Sequence, residues 1–317
     1  MIAFILKFWQ LLSGIFLGWG LGANDASNVF GTGVASNLIK YRNAIILTAV
    51  FVIVGALMEG EKTFDTIGKL NSTLTLNTAF IASFAAGLTV FIMTVLKLPI
   101  STSQAIVGAI LGISIYYRQD VDFGKLTKIF ICWVTTPLGA AIISFLLYKI
   151  IDFILSKFKY GERKIHTFVK IGVVISGCLG AYSLGANNVA NVTGVFVGAD
   201  MINPFWGTLI GGLSIALGVL TYSKNVMLTV GKNITTLGPL TAFIAVLGQA
   251  ITVYIFTQIG VPVSTSQAIV GAVAGVGLVK GMQVINMKTI FNIVIGWVST
   301  PVSGALVAMG LCFFIKP

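Results

Sequence analysis

GANDASNVFGTG, residues 22–33, returns 163 positions further along as GANNVANVTGVF, residues 185–196. The same offset joins TIGK (66–69) to TVGK (229–232), TAFIA (78–82) to TAFIA (241–245), and LPISTSQAIVGAI (98–110) to VPVSTSQAIVGAV (261–273). One residue later in register, WVTTPLGA (133–140) meets WVSTPVSGA (297–305). An offset that holds to within one residue at the start of every block identifies two homologous halves, roughly 1–156 and 164–317, joined by a basic segment at 157–170.

Both halves are written for an apolar solvent. The chain is 56% hydrophobic and 9% charged, with a mean hydropathy of +0.99, where a soluble domain carries about a quarter charged residues. Nearly uncharged runs recur at 8–39, 43–58, 70–96, 98–117, 129–148, 171–199, 201–223, 233–279 and 289–315, and several exceed the roughly 20 residues a helix needs to cross hydrocarbon. The alternating dyads of a membrane barrel are absent, so the spans are helices. The first run is longer than the apolar core of a secretory signal and resembles the start of the second half, which makes it a permanent span. Residues 98–117 and 125–137 each read equally as a full span or as part of a re-entrant hairpin.

Charge sets the orientation. The net charge of +11 forms no nucleic-acid-binding stripe; the bases collect at span ends and most densely in KFKYGERKIHTFVK (157–170), as cytoplasmic loops do under the positive-inside rule. The connection after the first GAND block carries Lys40 and Arg42, whereas its counterpart near 200–206 carries only Asp200. Equivalent loops therefore face opposite sides, the signature of inverted-topology repeats. This places the N-terminus and the 59–65 loop outside and the 157–170 loop in the cytoplasm of a multi-pass cell-membrane protein. Cys132, Cys178 and Cys312 lie in apolar runs without metal-ligand spacing and read as core residues.

Within this frame Asp25 stands out, because it is the only charged residue between Lys7 and Lys40. A carboxylate at a helix centre costs about 2.5–3.5 kcal/mol on insertion scales, which argues for a function. The surrounding backbone signals point the same way. Glycines at 18, 20 and 22 predict a break, with Asn24 as N-cap of a second half-helix. Pro99 followed by Ser101 and Gln104, and Pro262 followed by Ser264 and Gln267, have capping-box spacing. TTP (135–137) and STP (299–301) offer Thr136 and Thr300 as caps with proline at the first helical position. A lone Ser/Thr-Pro pair also reads as a kink, and isolated Asn or Ser as interhelical glue. Duplication in register favours a site: six helix N-termini, three from each half, converging near the midplane, where partial positive charge and free N–H groups bind anions. The predicted fold is thus an all-α polytopic membrane protein of two inverted repeats with broken helices and re-entrant hairpins.

GAND..N with P[IV]ST, each duplicated in the two halves, resembles the inorganic phosphate transporter (PiT) family across essentially the whole chain. The resemblance implies cation-coupled phosphate uptake, driven by sodium or protons, with some relatives carrying sulfate. By matching position it implicates Asn24, Asp25 and Asn28, then Asn187, Asn188 and Asn191, and the turns Ser101-Thr102-Ser103-Gln104 and Ser264-Thr265-Ser266-Gln267. Three departures stand out: Asn188 replaces the aspartate usual in the second motif, Gln104 and Gln267 stand where many members have histidine, and Val52 occupies the place of an intramembrane glutamate.

These departures bear on the coupling ion. Proton coupling needs an embedded titrating group, yet the single histidine, His166, lies in the basic segment and Asp25 is the only acid deep in a span. Neutral oxygens suit sodium, and the expected ligands are Asn24, Asp25, Asn28, Thr136, Asn187, Asn188, Asn191 and Thr300. Phosphate is expected on Asn24, Asp25, Asn28, Asn188 and the two Ser-Thr-Ser-Gln turns. No guanidinium or ammonium lies well inside a motif, and Lys97 reads as a span-end lysine reaching the interface. The anion's charge is therefore met by helix ends and by sodium itself. Protonated phosphate can donate to Asp25 and sulfate cannot, which favours phosphate modestly.

The expectation is a sodium-coupled phosphate symporter, neither an enzyme nor a nucleic-acid binder, with phosphate, sodium and the bilayer as partners and no cofactor. The alternatives are a proton-coupled phosphate or sulfate permease and, in another class, an anion channel. No acid pair, histidine cluster or nucleotide-binding loop supports an enzyme or a primary pump. A homodimer would suit one half-bundle moving against a fixed scaffold, although no stretch of sequence marks an interface.

Overall fold

In an apolar solvent the backbone must satisfy its own hydrogen bonds, and the structure, a computed structural model, does so with helices. It describes residues 8–96, 100–158, 161–224, 226–228, 238–281 and 287–316. The first half contributes α1 (Leu11–Ala35), α2 (Tyr41–Glu59), a short α3 (Phe64–Gly68), α4 (Leu76–Val95), α5 (Thr102–Tyr117) and α6 (Phe123–Phe158). The second contributes α7 (Glu162–Gly198), α8 (Pro204–Tyr222), α9 (Pro239–Ile259), α10 (Thr265–Lys280) and α11 (Met287–Cys312). Among the described residues, 7 helices are long and apolar enough to cross a membrane. The whole TVGK block (229–232), together with Lys97 and Pro99, lies outside the described residues.

Helices α5 and α10 have 16 residues each, roughly 24 Å at 1.5 Å per residue and too short to span. Each begins at a buried Ser-Thr-Ser-Gln turn and runs outward from there. The 125–137 stretch is no separate hairpin arm: it belongs to α6, whose 36 residues extend roughly 54 Å. Nor is 157–170 mainly loop, since α6 runs to Phe158 and α7 starts at Glu162.

The predicted breaks at GWGLGAND and at the two Thr-Pro pairs do not occur. Helix α1 is continuous for 25 residues, and Asn24 sits in its middle, capping nothing. Helices α6 and α11 run through Pro137 and Pro301. Thr136 Oγ1 donates to Cys132 O (2.6 Å) and Thr300 Oγ1 to Gly296 O (2.6 Å), so both hydroxyls bond back into their own helix and cap nothing.

What the glycines and prolines provide instead is close approach between halves. A Cβ at Gly22 would overlap the Ile215 carbonyl, and one at Gly185 the Val52 carbonyl; Gly55 meets the Tyr182 carbonyl and Gly218 the Trp19 carbonyl. These are two pairs of reciprocal contacts at the same 163-residue offset, α1 on α8 and α2 on α7. The short helices repeat the pattern. Gly108 and Gly112 of α5 lie on Pro301 and Ala305 of α11, while Gly271 and Gly275 of α10 lie on Pro137 and Ala141 of α6. Small residues let backbones pack where apolar burial from water supplies no drive between helices.

The outer surface is apolar, as a lipid-facing surface must be. On α6, Ile131, Val134, Leu138, Ile142, Leu146 and Ile150 form an exposed stripe at helical spacing. Charges separate to the two ends of the bundle. One end holds Glu59, Asp65, Asp122 and Asp200 with ion pairs Lys62–Glu59 (3.3 Å), Lys125–Asp65 (3.4 Å) and Lys125–Asp122 (3.2 Å). The other holds Lys40, Arg42, Lys157, Arg163 and Lys164.

Candidate functional site

Between those ends, the middles of α1 and α7 meet the starts of α5 and α10. Every expected site residue on these four elements is at most 3% exposed. The two starts form as predicted: Ser101 Oγ accepts from Gln104 N (3.3 Å) and Ser264 Oγ from Gln267 N (3.2 Å). The reciprocal half of the capping box is absent, because Gln104 Oε1 and Gln267 Oε1 have no partner among the described residues. The halves touch here. Ser266 Oγ donates to Ile100 O (2.9 Å), joining the start of α10 to the residue before Ser101.

Asp25 is the only charged residue among the buried described side chains. Its carboxylate lies close to the hydroxyls of Thr102 on α5 and Thr265 on α10, one from each half, and its Oδ1 has no hydrogen-bond partner among the described residues. One turn along α1, Asn28 Nδ2 donates to Ser266 Oγ (3.0 Å) and reaches Thr265 Oγ1 (3.5 Å). The mirror arrangement is not built. Asn191, the counterpart of Asn28, donates to Asn188 Oδ1 (3.0 Å), and Ser103 pairs with Ser101 (3.1 Å). Asn188 stands where the first half has its carboxylate.

Asn24 and Asn187 keep the symmetry and act as braces. Asn24 Nδ2 donates to Thr94 Oγ1 (3.1 Å), and Asn187 Nδ2 donates to Thr257 Oγ1 (3.1 Å) and Val261 O (3.0 Å). Asn187 Oδ1 also accepts from Val263 N (2.7 Å), holding the extended segment before Ser264. Sequence reasoning missed Thr94 and Thr257, although they too are related by the 163-residue offset and so carried the signal. Thr136 and Thr300 are fully buried, and the prolines that follow them pack on Gly271 and Gly108, a turn or more along α10 and α5 from the Ser-Thr-Ser-Gln turns.

The donor inventory suits two kinds of ligand. Oxygens without a protein partner among the described residues include Asp25 Oδ1, Asn28 Oδ1, Thr102 Oγ1, Asn191 Oδ1 and both Gln Oε1 atoms. One carboxylate among neutral oxygens is a ligand set for a hard monovalent cation. The first-turn N–H groups of α5 and α10, with Asn188 Nδ2, form an anion-donor set. No group of three or more His, Cys, Asp or Glu side chains assembles among the described residues.

Comparison with known proteins agrees with this geometry. The Phosphate transporter family profile matches residues 21–308. A Methanocaldococcus jannaschii protein named "Putative phosphate permease" is 32% identical over 94% of this chain and 94% of its own. The sulfate permease of Bacillus subtilis is 30% identical over 92% of this chain and 83% of its own. A solved structure described as the sodium-dependent phosphate transporter superposes with a TM-score of 0.85, at 24% identity, over 97% of this chain and 98% of the other. With its duplicated GAN and Ser-Thr-Ser-Gln motifs meeting at one buried site, this chain belongs to the phosphate transporter family.

Proposed function

We propose that this membrane transporter couples inward movement of sodium to uptake of inorganic phosphate, by alternating access to the buried site. The observation that carries the proposal is Asp25, a single buried charge set among neutral oxygens where two helix N-termini from different halves meet. An anion placed beside Asp25 alone is repelled; with sodium between them it is attracted, and both helix ends add to the attraction. Coupling then follows from electrostatics. In this arrangement Asp25, Asn28 and Asn191 supply oxygens to sodium, while Ser103, Ser266 and the first-turn N–H groups hold phosphate. Asn24 and Asn187 position these groups. The sodium-dependent transporter that shares the fold supports this reading, and the Bacillus relative makes sulfate the second reading.

The direct test is labelled-phosphate uptake into proteoliposomes with sodium and proton gradients imposed separately. A sodium gradient should drive accumulation, a proton gradient alone should not, and excess sulfate should compete weakly. Accumulation driven by the proton gradient alone, or sulfate competing as well as phosphate, would favour a proton-coupled or sulfate permease. Accumulation of phosphate against its electrochemical gradient is beyond any channel.

Orientation is part of the proposal. The reciprocal contacts between halves and the separation of charge between the ends support inverted repeats, with Lys40 and Arg42 cytoplasmic and the Asp200 turn outside. With Cys132, Cys178 and Cys312 replaced, Arg42→Cys should label only from the cytoplasm and Asp200→Cys only from outside. Labelling of both from one side would remove the inverted arrangement.

A further inference from the structure

Away from the central cluster, one buried amide has no partner at either end. Gln249 on α9 is 0% exposed, and neither Oε1 nor Nε2 finds a hydrogen-bond partner among the described residues. Buried polar groups are nearly always satisfied, so such a group calls for a ligand or a role. Its Oε1 lies over Gly180 of α7, beside Val29 of α1. Gly180 precedes Asn187 by about two turns, roughly 10 Å along α7. On α9, Gln249 likewise precedes Thr257, the partner of Asn187, by about two turns. Both displacements lead from the site toward the basic end, because α7 begins there at Glu162 and α9 runs alongside it.

A second polar group occupies the same stretch. Thr32 continues the face of α1 that carries Asp25 and Asn28, one turn nearer the basic end. It is 2% exposed, and its hydroxyl has no partner among the described residues. The opposite half lacks both groups. At the 163-residue offset, Ala86 stands for Gln249, Val195 for Thr32 and Leu17 for Gly180, and all three are apolar and fully buried. Gln249 and Thr32 therefore have no polar counterparts at the equivalent positions on the other side of the site.

We propose that Gln249 and Thr32 form a transit station for sodium between the central site and the basic end, on the release side of the cycle. The proposal rests on the sodium-coupled reading above. Two neutral oxygens, an amide and a hydroxyl, are ligands for a hard monovalent cation. Phosphate would need more donors, and α1, α7 and α9 run unbroken here, so no helix N-terminus is available to supply them.

The test has two arms. In a background lacking Cys132, Cys178 and Cys312, a small cationic methanethiosulfonate applied from the side of Arg42 should modify Gln249→Cys and leave Ala86→Cys untouched, with sodium slowing the modification. Equal reactivity at both positions, or none at Gln249→Cys, overturns the station. In proteoliposomes, Gln249→Met should lower sodium-driven phosphate uptake about tenfold, while equilibrium phosphate binding in detergent stays within twofold of wild type. Unchanged uptake means the amide is only structural, and binding that falls in step with uptake places Gln249 in the central site; either result overturns the proposal. Wild-type uptake that ignores sodium would overturn the parent reading and the choice of ion with it. An unreactive Gln249→Cys beside sodium-dependent wild-type uptake overturns the station alone.

Discussion

Asp25→Asn lowers sodium-driven phosphate uptake at least about a hundredfold while leaving a folded protein. The carboxylate lies close to hydroxyls from both halves and, on the proposed function, also binds sodium. Interactions with a charged group are worth about 1.5–3 kcal/mol each, and every ~1.4 kcal/mol is tenfold, so losing two reaches that range. Folding should survive. Asn188 shows that an amide fits the equivalent place in the second half, and a neutral side chain is easier to bury than an ion. Two measurements separate the effects. Thermal unfolding without sodium should occur no lower than in wild type, and the upward shift that sodium produces in wild type should disappear. A folded variant that keeps normal sodium-driven uptake would leave Asp25 without the assigned role.

Ser266→Ala is the next most damaging change, and it should exceed Ser103→Ala. Ser266 accepts from Asn28 and donates to the Ile100 carbonyl, so its hydroxyl links α10, α1 and the segment leading into α5. Removing it leaves Asn28 Nδ2 short of an acceptor and the Ile100 carbonyl short of a donor, at the junction that presents the start of α10 to phosphate. At about 1–3 kcal/mol per group so stranded, phosphate affinity should fall well beyond tenfold. Among the described residues the Ser103 side chain bonds only its neighbour Ser101, and its loss should weaken binding roughly tenfold, the value of a single hydrogen bond to a charged ligand. The double variant should depart from additivity, because both turns hold one anion. Equilibrium binding of labelled phosphate to the four proteins decides the matter. A silent Ser103→Ala with an additive double variant would confine the anion to the second half and end the shared-site account.

Much of the architecture was legible before any coordinates. The 163-residue offset marked two homologous halves, composition marked an all-helical membrane protein, and Ser101 and Ser264 were readable as helix starts because a Ser-x-x-Gln after proline is a local signal. The central cluster of Asn24, Asp25, Asn28, Asn187, Asn188 and Asn191 followed from repetition, which needs no geometry.

Helix continuity was the first thing that only the tertiary structure decided. Gly18, Gly20 and Gly22 each weaken a helix by about 1 kcal/mol relative to alanine, and Pro137 and Pro301 by more, so a local reading ends helices there. Hydrocarbon leaves a broken backbone no water to bond, and the facing half gains close contact at these same residues: Gly22 on Ile215, and Pro137 and Pro301 on Gly271 and Gly108. The local penalty loses to that packing, and α1, α6 and α11 run through. Symmetry was the second. Two halves that share the GAN and Ser-Thr-Ser-Gln motifs read as a symmetric site, yet Asn28 reaches across to Ser266 while Asn191 turns to Asn188. One substitution accompanies that difference, the carboxylate of Asp25 against the amide of Asn188. Its consequence depends on which acceptors lie within about 3 Å across the interface between halves, and only the packed structure brings those acceptors into place.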